Sequence, residues 1–280
     1  MPFPYKTVLV TGATSGIGQA LVERMLTAGD GIFVIAVGRR QDRLDALQAR
    51  FGADRVAVEN VDVGDLASLP AWTAKITAAY PALDCVVLNA GFQQALDFSD
   101  PQSVINVLPD LTSEITVNYL SPVHAAALFL PHLTSRGPGK PAALVFVTSG
   151  LALVPIARCP NYCASKAALH SLAWTLRSQL QDSAAAAATP PDDVVRVIEI
   201  IPPAVQTELH TRQGQAKIGL PLDQFIDETW AGLTAAEPID EIMPQILRDM
   251  SGHVEDAKRE SYKRMGDMLK KLAAQSKDSH

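Results

Sequence analysis

"KTVLVTGATSGIG", residues 6–18, decides how the rest of the chain is read. Lys6 to Thr11 form a short β-branched, apolar run, and Gly12, Gly16 and Gly18 follow in the spacing G-x-x-x-G-x-G. Hydrophobicity without polar alternation predicts a strand covered on both faces, the mark of a parallel sheet. The glycines predict a tight turn that lets backbone N–H groups approach a pyrophosphate, at the start of a helix whose N-terminus favours anions. This spacing is a relative of the G-x-G-x-x-G fingerprint rather than the fingerprint itself. Taken alone, the turn also fits a Gly-rich loop without a ligand.

The same alternation continues along the chain. "GQALVERMLTAG" (18–29) has helical periodicity, and further strands are expected at 32–37, 55–60, 84–89, 142–148 and 194–200, with helical segments between them. Strands alternating with helices select an α/β fold with a doubly wound parallel sheet, and right-handed crossovers make it Rossmann-like. One low-complexity stretch, "DSAAAAATPPDD" (182–193), extends a helix until Pro190 and Pro191 stop it.

The chain past Thr207 is too short for a substantial second domain, so residues 1–280 are read as one domain. Residues 208–230, polar at first and with Gly214 and Gly219, are expected to form a mobile lid over a substrate. Short helices are expected at 222–233 and 239–250. A C-terminal helix over 255–275, with Met265, Met268, Leu269 and Leu272 on one stripe, is expected to pack on its own domain.

Bulk properties exclude several classes. A net charge of −6 argues against nucleic acid as the main partner, because phosphate neutralisation wants a basic surface. No basic segment followed by a long apolar one opens the chain, and no apolar run approaches the ~20 residues that span a bilayer. Cys85, Cys159 and Cys163 form no disulfide framework and suit a reducing compartment, so a cytoplasmic location is expected. Cys159 and Cys163 have only His170 nearby and no second ligand pair, so no metal site is expected.

"NAG" (89–91) closes the fourth strand, and Tyr162-x-x-x-Lys166 opens a helix. With the glycine turn, these resemble the short-chain dehydrogenase/reductase family, over residues 6 to about 207. Several further matches fall in the family's order. Asp62 and Val63, in "VDV", would meet the adenine. Asn118, in "VNYLSP", matches the family's helix-kinking asparagine, and Ser149, in "FVTSG", stands 13 residues before Tyr162.

The resemblance implies hydride transfer between a nicotinamide cofactor and a small carbonyl or alcohol substrate. Tyr162 would be the proton donor or acceptor, with its phenolate favoured by the neighbouring Lys166 and by the positive nicotinamide ring of the oxidised cofactor. Ser149 would hydrogen-bond the reacting oxygen, and Asn118 would hold a relaying water. The cofactor would lie on Gly12, Ser15, Gly16, Ile17, Gly18, Asn89, Ala90 and Gly91, with Val205 and Thr207 at the nicotinamide carboxamide and with Tyr162 and Lys166 beside it.

Cofactor choice is read after the second strand. No acidic residue stands there to grip the ribose hydroxyl of NAD, whereas Arg39 and Arg40 offer two cations to a 2′-phosphate. NADP is therefore favoured and NAD disfavoured, although Ser15 stands where many NADP-preferring members carry a basic residue. Phe92, Leu151, Leu153 and Val154 suggest an apolar substrate wall, with Arg158 as a contact for an anionic group.

The chain departs from the family pattern in "PPAVQT" (202–207), where Pro203 replaces a glycine, fixes φ and removes a donor. This form resembles a smaller branch of the family. No seventh strand of the usual form is visible, so a homodimer through the helices that hold Asn118 and Tyr162 is expected. Two rivals are weighed against the enzyme: a catalytically silent NADP-binding regulator, and an epimerase-like enzyme, which normally needs a larger C-terminal substrate domain.

Overall fold

The computed structural model describes residues 3–28, 31–211 and 216–277. Seven parallel strands make one sheet in the order β3-β2-β1-β4-β5-β6-β7. They are β1 (Thr7–Thr11), β2 (Phe33–Gly38), β3 (Val56–Asn60), β4 (Cys85–Leu88), β5 (Ala143–Val147), β6 (Arg196–Ile200) and β7 (Glu241–Ile242). The helices are α1 (Gly16–Thr27), α2 (Gln41–Phe51), α3 (Leu69–Ala79), α4 (Pro101–Asn106), α5 (Leu108–Ile115), α6 (Ser121–Thr134), α7 (Pro160–Ala186), α8 (Glu208–Thr211), α9 (Leu222–Leu233) and α10 (Gln245–Lys277).

Every residue of β1, β4 and β5 is buried, which is why these strands lack polar alternation. Alternate side chains serve two cores. Val8 and Val10 point with Leu21 and Met25 of α1, Leu44 of α2 and Phe225 of α9 into one layer. Leu9 joins Trp72 of α3, Phe129 of α6 and Leu169 of α7 in the other. The order of strands turns back between β1 and β4, so the carboxyl ends of these neighbours open the crevice where this fold class binds ligands.

The six predicted strands lie within a residue or two of the expected places. The seventh, β7, escapes the sequence because it has only two residues, Glu199 pairing with Glu241 and Ile200 with Ile242. The helix expected over 239–250 is therefore corrected: its first part is the strand β7 and irregular chain, and the helix begins only after Pro244. From Gln245 onward the chain groups as a compact unit of its own. The described residues of that unit form the single helix α10, which runs through Gly252 rather than starting near 255; one helical glycine costs only about 1 kcal/mol. The side chains of its stripe, Met265, Met268, Leu269 and Leu272, are exposed.

The expected lid divides. Residues 212–215 lie outside the described residues. Gly219, at φ 94°, brings Leu220 beside the chain after β6, where Leu220 N–H donates to Ala204 O (2.8 Å) and Gln206 N–H to Leu220 O (2.9 Å). From Leu222 the chain is anchored, with Phe225, Ile226 and Thr229 buried and Trp230 against Phe3. No helix among the described residues is long and apolar enough to cross a membrane.

Candidate active site

The turn after β1 is built for close approach. Gly12 and Gly16 have φ of 71° and 52°, a region that L side chains rarely adopt. A Cβ on Gly12 would stand 2.9 Å from Ala90 Cα, and one on Gly18 would overlap Gly12 O and the Asn89 amide. Ser15 precedes α1 in extended conformation and makes no side-chain capping bond, which leaves first-turn N–H groups for another acceptor. Thr11, missed in the sequence reading, fastens this turn to the end of β4. Its hydroxyl accepts from Asn89 N–H (3.0 Å) and Ala90 N–H (3.1 Å), while the Asn89 amide donates to Thr11 O (2.9 Å).

Asn118 lies in a π-helical turn, Thr116–Leu120, inserted between α5 and α6. Such single-turn bulges recur at functional sites. Its side chain is wholly buried and acts as a clamp. Oδ1 accepts from Phe92 N–H (3.0 Å), and Nδ2 donates to Phe92 O (2.8 Å) and to Ser165 Oγ (3.2 Å). Ser165 in turn donates to Tyr162 O (2.7 Å), so the clamp reaches the first turn of α7.

Pro160 at the start of α7 presets helical φ, and Tyr162 and Lys166, one turn apart, share a face. Lys166 donates to Val147 O (2.8 Å) at the end of β5, with Nζ 5.7 Å from the Tyr162 ring centroid. Ser149, just past β5, accepts from Leu151 N–H (3.1 Å) and hydrogen-bonds the Tyr162 side chain.

Burial dominates the titration of both α7 groups. It pushes the Tyr162 phenol well above its ordinary range, against the opposing hydrogen bond from Ser149. In the protein alone desolvation therefore favours the protonated phenol, the form that can donate a proton. Burial also lowers Lys166 to about 8, against the buried carboxylates Glu199 and Glu114, which favour its charged form. Neither carboxylate was singled out in the sequence. Glu199, on β6, contacts His170 Nδ1 (2.8 Å) and accepts from Thr148 Oγ1 (2.5 Å). Glu114 accepts from Gln94 N–H (2.9 Å) and Asn161 Nδ2 (2.5 Å).

The arginines after β2 separate. Arg39 reaches Asp62 at 3.4 Å and stays exposed. Arg40 donates from Nε (3.1 Å) and Nη2 (3.0 Å) to Thr14 Oγ1 and from Nη1 to Glu208 Oε2 (3.1 Å). Arg43, on the same face of α2, meets the other oxygen of Glu208 at 2.6 Å. Thr14, Arg43 and Glu208 went unnoticed in the sequence; the Arg40–Arg43 spacing of one helical turn was the available signal for the second cation.

Many of these groups line one cavity of about 720 Å³. Gly12, Ser15, Gly16 and Ile17 line it, as do Arg39, Arg40, Asp62, Val63, Asn89, Ala90 and Gly91, together with Ser149, Tyr162, Lys166, Val205 and Thr207. Gly18 and Asn118 stand behind the wall. Phe92, Leu151 and Arg158 line the cavity as expected, but Leu153 and Val154 do not: Leu153 turns into the protein and Val154 outward. Ile156, Leu209 and Ile218 supply apolar wall instead. Cys159 and Cys163 are both buried, and burial pushes the Cys159 thiol up to about 12.

Comparison with known proteins bears on what this cavity serves. The uncharacterized oxidoreductase DltE of Bacillus subtilis (strain 168) is 35% identical over 273 residues, covering 96% of this chain and 98% of its own. A benzil reductase ((S)-benzoin forming), IRC24 of Saccharomyces cerevisiae, is 31% identical over 204 residues, 73% of each chain. A short-chain dehydrogenase from Sphingobium yanoikuyae, solved in complex with NADPH, shares the fold at a TM-score of 0.73 with 24% identity, over 92% of this chain and 95% of its own. The pattern of the family described as short chain dehydrogenase matches residues 6–217. The chain carrying this cavity therefore belongs to the short-chain dehydrogenase/reductase family of oxidoreductases.

Proposed function

We propose that the protein is an NADP(H)-dependent carbonyl reductase, or secondary-alcohol dehydrogenase in reverse, acting on a small and largely apolar substrate. One observation carries this reading: Ser149, Tyr162 and Lys166 line the same cavity as Gly12, Gly16 and Arg40. The cavity has a volume typical of cofactor and ligand sites, and the glycine turn leaves backbone room that a Cβ would fill. The residues present therefore fit a dinucleotide. When bound, the nicotinamide supplies or takes up the hydride.

Residues of this chain do the rest. Tyr162, kept protonated by burial, gives its proton to the carbonyl oxygen. Ser149, hydrogen-bonded to the same phenol, supports the charge that develops on that oxygen. The Lys166 ammonium favours the phenolate left behind. Asn118 holds Phe92 and the first turn of α7 in register. Arg40 and Arg39 read the 2′-phosphate. Leu209 and Ile218, which line the same cavity, would offer apolar contacts to the substrate. A homodimer through the helices around Asn118 and Tyr162 belongs to the same proposal, and sedimentation equilibrium at twice the chain mass would support it.

The relatives lend support to this substrate class, since one of them is a benzil reductase. The test is oxidation of NADPH, with NADH alongside, against aldehydes, ketones, diketones and quinones. Turnover of an apolar carbonyl with NADPH is expected. Binding of NADPH without turnover of any carbonyl would favour the silent regulator instead.

A further inference from the structure

We propose that Glu208 is a built-in competitor for the 2′-phosphate of NADP(H), and so a residue that sets cofactor preference. The inference rests on the NADP(H) reading above and adds a residue to it. Glu208 is not a remote surface carboxylate. It lines the same cavity as Thr14, Arg39 and Arg40, and it stands directly after Thr207, whose side chain lies against Gly16 of the glycine turn.

The carboxylate straddles two guanidinium groups. Oε2 accepts from Arg40 Nη1 at 3.1 Å, and Oε1 accepts from Arg43 Nη1 at 2.6 Å. Arg40 already spends Nε and Nη2 on Thr14 Oγ1, at 3.1 and 3.0 Å. Arg43 also donates to Thr14 O at 3.0 Å and is not part of the cavity wall. The two arginines therefore have different duties. Arg43 anchors Glu208 and the turn from behind, while Arg40 faces the cavity and is the cation that a phosphate can take.

Glu208 and a phosphate on the adenosine ribose would both draw on the remaining face of Arg40. A carboxylate brings one negative charge and two acceptor oxygens; a phosphate monoester brings close to two charges and three acceptors. The Arg40 and Glu208 side chains are 28% and 38% exposed, so water screens their pair and makes it exchangeable. A phosphate thus displaces the carboxylate from Arg40 while Arg43 retains it. NADH carries no phosphate at that position and gains nothing from the exchange. The carboxylate instead leaves its negative charge where NADPH must bring more, and it holds NADPH affinity below what Arg40 alone would give.

The test measures dissociation constants of NADPH and NADH for the full chain by quenching of tryptophan fluorescence, in wild type and Glu208→Gln. Glutamine keeps the side-chain length and can still accept from Arg43, so the turn is retained; Glu208→Ala serves as a second variant. The expected result is NADPH bound at least about threefold more tightly by either variant, with NADH changed less than about twofold, the scale of one screened ion pair. 2′-AMP, the probe for the phosphate alone, should follow NADPH, and 5′-AMP should follow NADH. Equal changes for both cofactors, or weaker NADPH binding in both variants, would overturn the competitor and make Glu208 a structural link. A wild type that prefers NADH would instead overturn the NADP(H) reading itself, whatever the variants do.

Discussion

Replacing Lys166 by Met separates the cost of the buried ammonium from its use. Its side chain is almost wholly inside the protein, and burial lowers its proton affinity from the ordinary 10.5 to about 8. The sign follows from linkage. A lysine whose folded-state pKa is depressed is bound to fewer protons when folded than when unfolded between those two values, so stability rises with pH across that window. Below about 8 the wild type carries the whole penalty; 2.5 pKa units correspond to about 3 kcal/mol. Methionine removes that penalty but leaves Val147 O without its donor, a loss of about 1–3 kcal/mol. The variant should thus be between equal in stability and about 2 kcal/mol more stable than wild type near pH 7. The firmer expectation is the pH trend, because the Val147 contribution largely cancels in it. Urea unfolding at about pH 7 and about pH 9.5 should show the variant's advantage falling by about 2 kcal/mol, as the wild type sheds its buried charge. Carbonyl reduction should fall sharply in the same variant. A gap that is flat, or that widens with rising pH, would refute the depressed lysine and with it the assignment of burial as the dominant effect.

Two further outcomes follow from the geometry. Asn118→Ala removes three hydrogen bonds and orphans the Phe92 N–H and C=O, so a loss of about 2–4 kcal/mol is expected in urea unfolding, and a change under about 0.5 kcal/mol would mean the clamp is not formed. Replacing Arg39 and Arg40 together by Ala should weaken NADPH binding more than about tenfold and leave NADH little changed, since charge-assisted bonds to phosphate contribute roughly 1.5–3 kcal/mol each; titration calorimetry that finds both cofactors weakened alike would make these arginines structural.

The sheet was legible because it is parallel and doubly covered. Buried strands such as Thr7–Thr11 and Ala143–Val147 have to be apolar on both sides, and that leaves a direct trace in composition. The two-residue β7 leaves none. Tyr162, Lys166, Ser149 and the glycine turn were legible because each stands at a fixed distance from a strand or helix end, and all of them reach one cavity. What sequence could not supply was pairing across the chain. Glu208 meets Arg40 and Arg43 from 168 and 165 residues away, and Glu199 meets His170 from 29 away. Desolvation is equally invisible in one dimension: Lys166 beside Tyr162 suggested a lowered phenol, whereas the burial that opposes it comes from the whole fold. Leu153 and Val154 were placed on the wall because the run is apolar, but the short 3₁₀ turn Gly150–Ala152 rotates them away from it.

The central claim is that the Tyr162 hydroxyl delivers the proton in an NADPH-dependent carbonyl reduction, and Tyr162→Phe tests it most directly. Phenylalanine keeps the buried ring and its packing while removing only the hydroxyl that hydrogen-bonds Ser149. With a carbonyl that the wild type reduces, steady-state kcat should fall by ~10²–10⁴-fold, the scale of losing a positioned general acid, while NADPH affinity stays within about twofold. A variant that retains about half of the wild-type kcat or more would contradict the account.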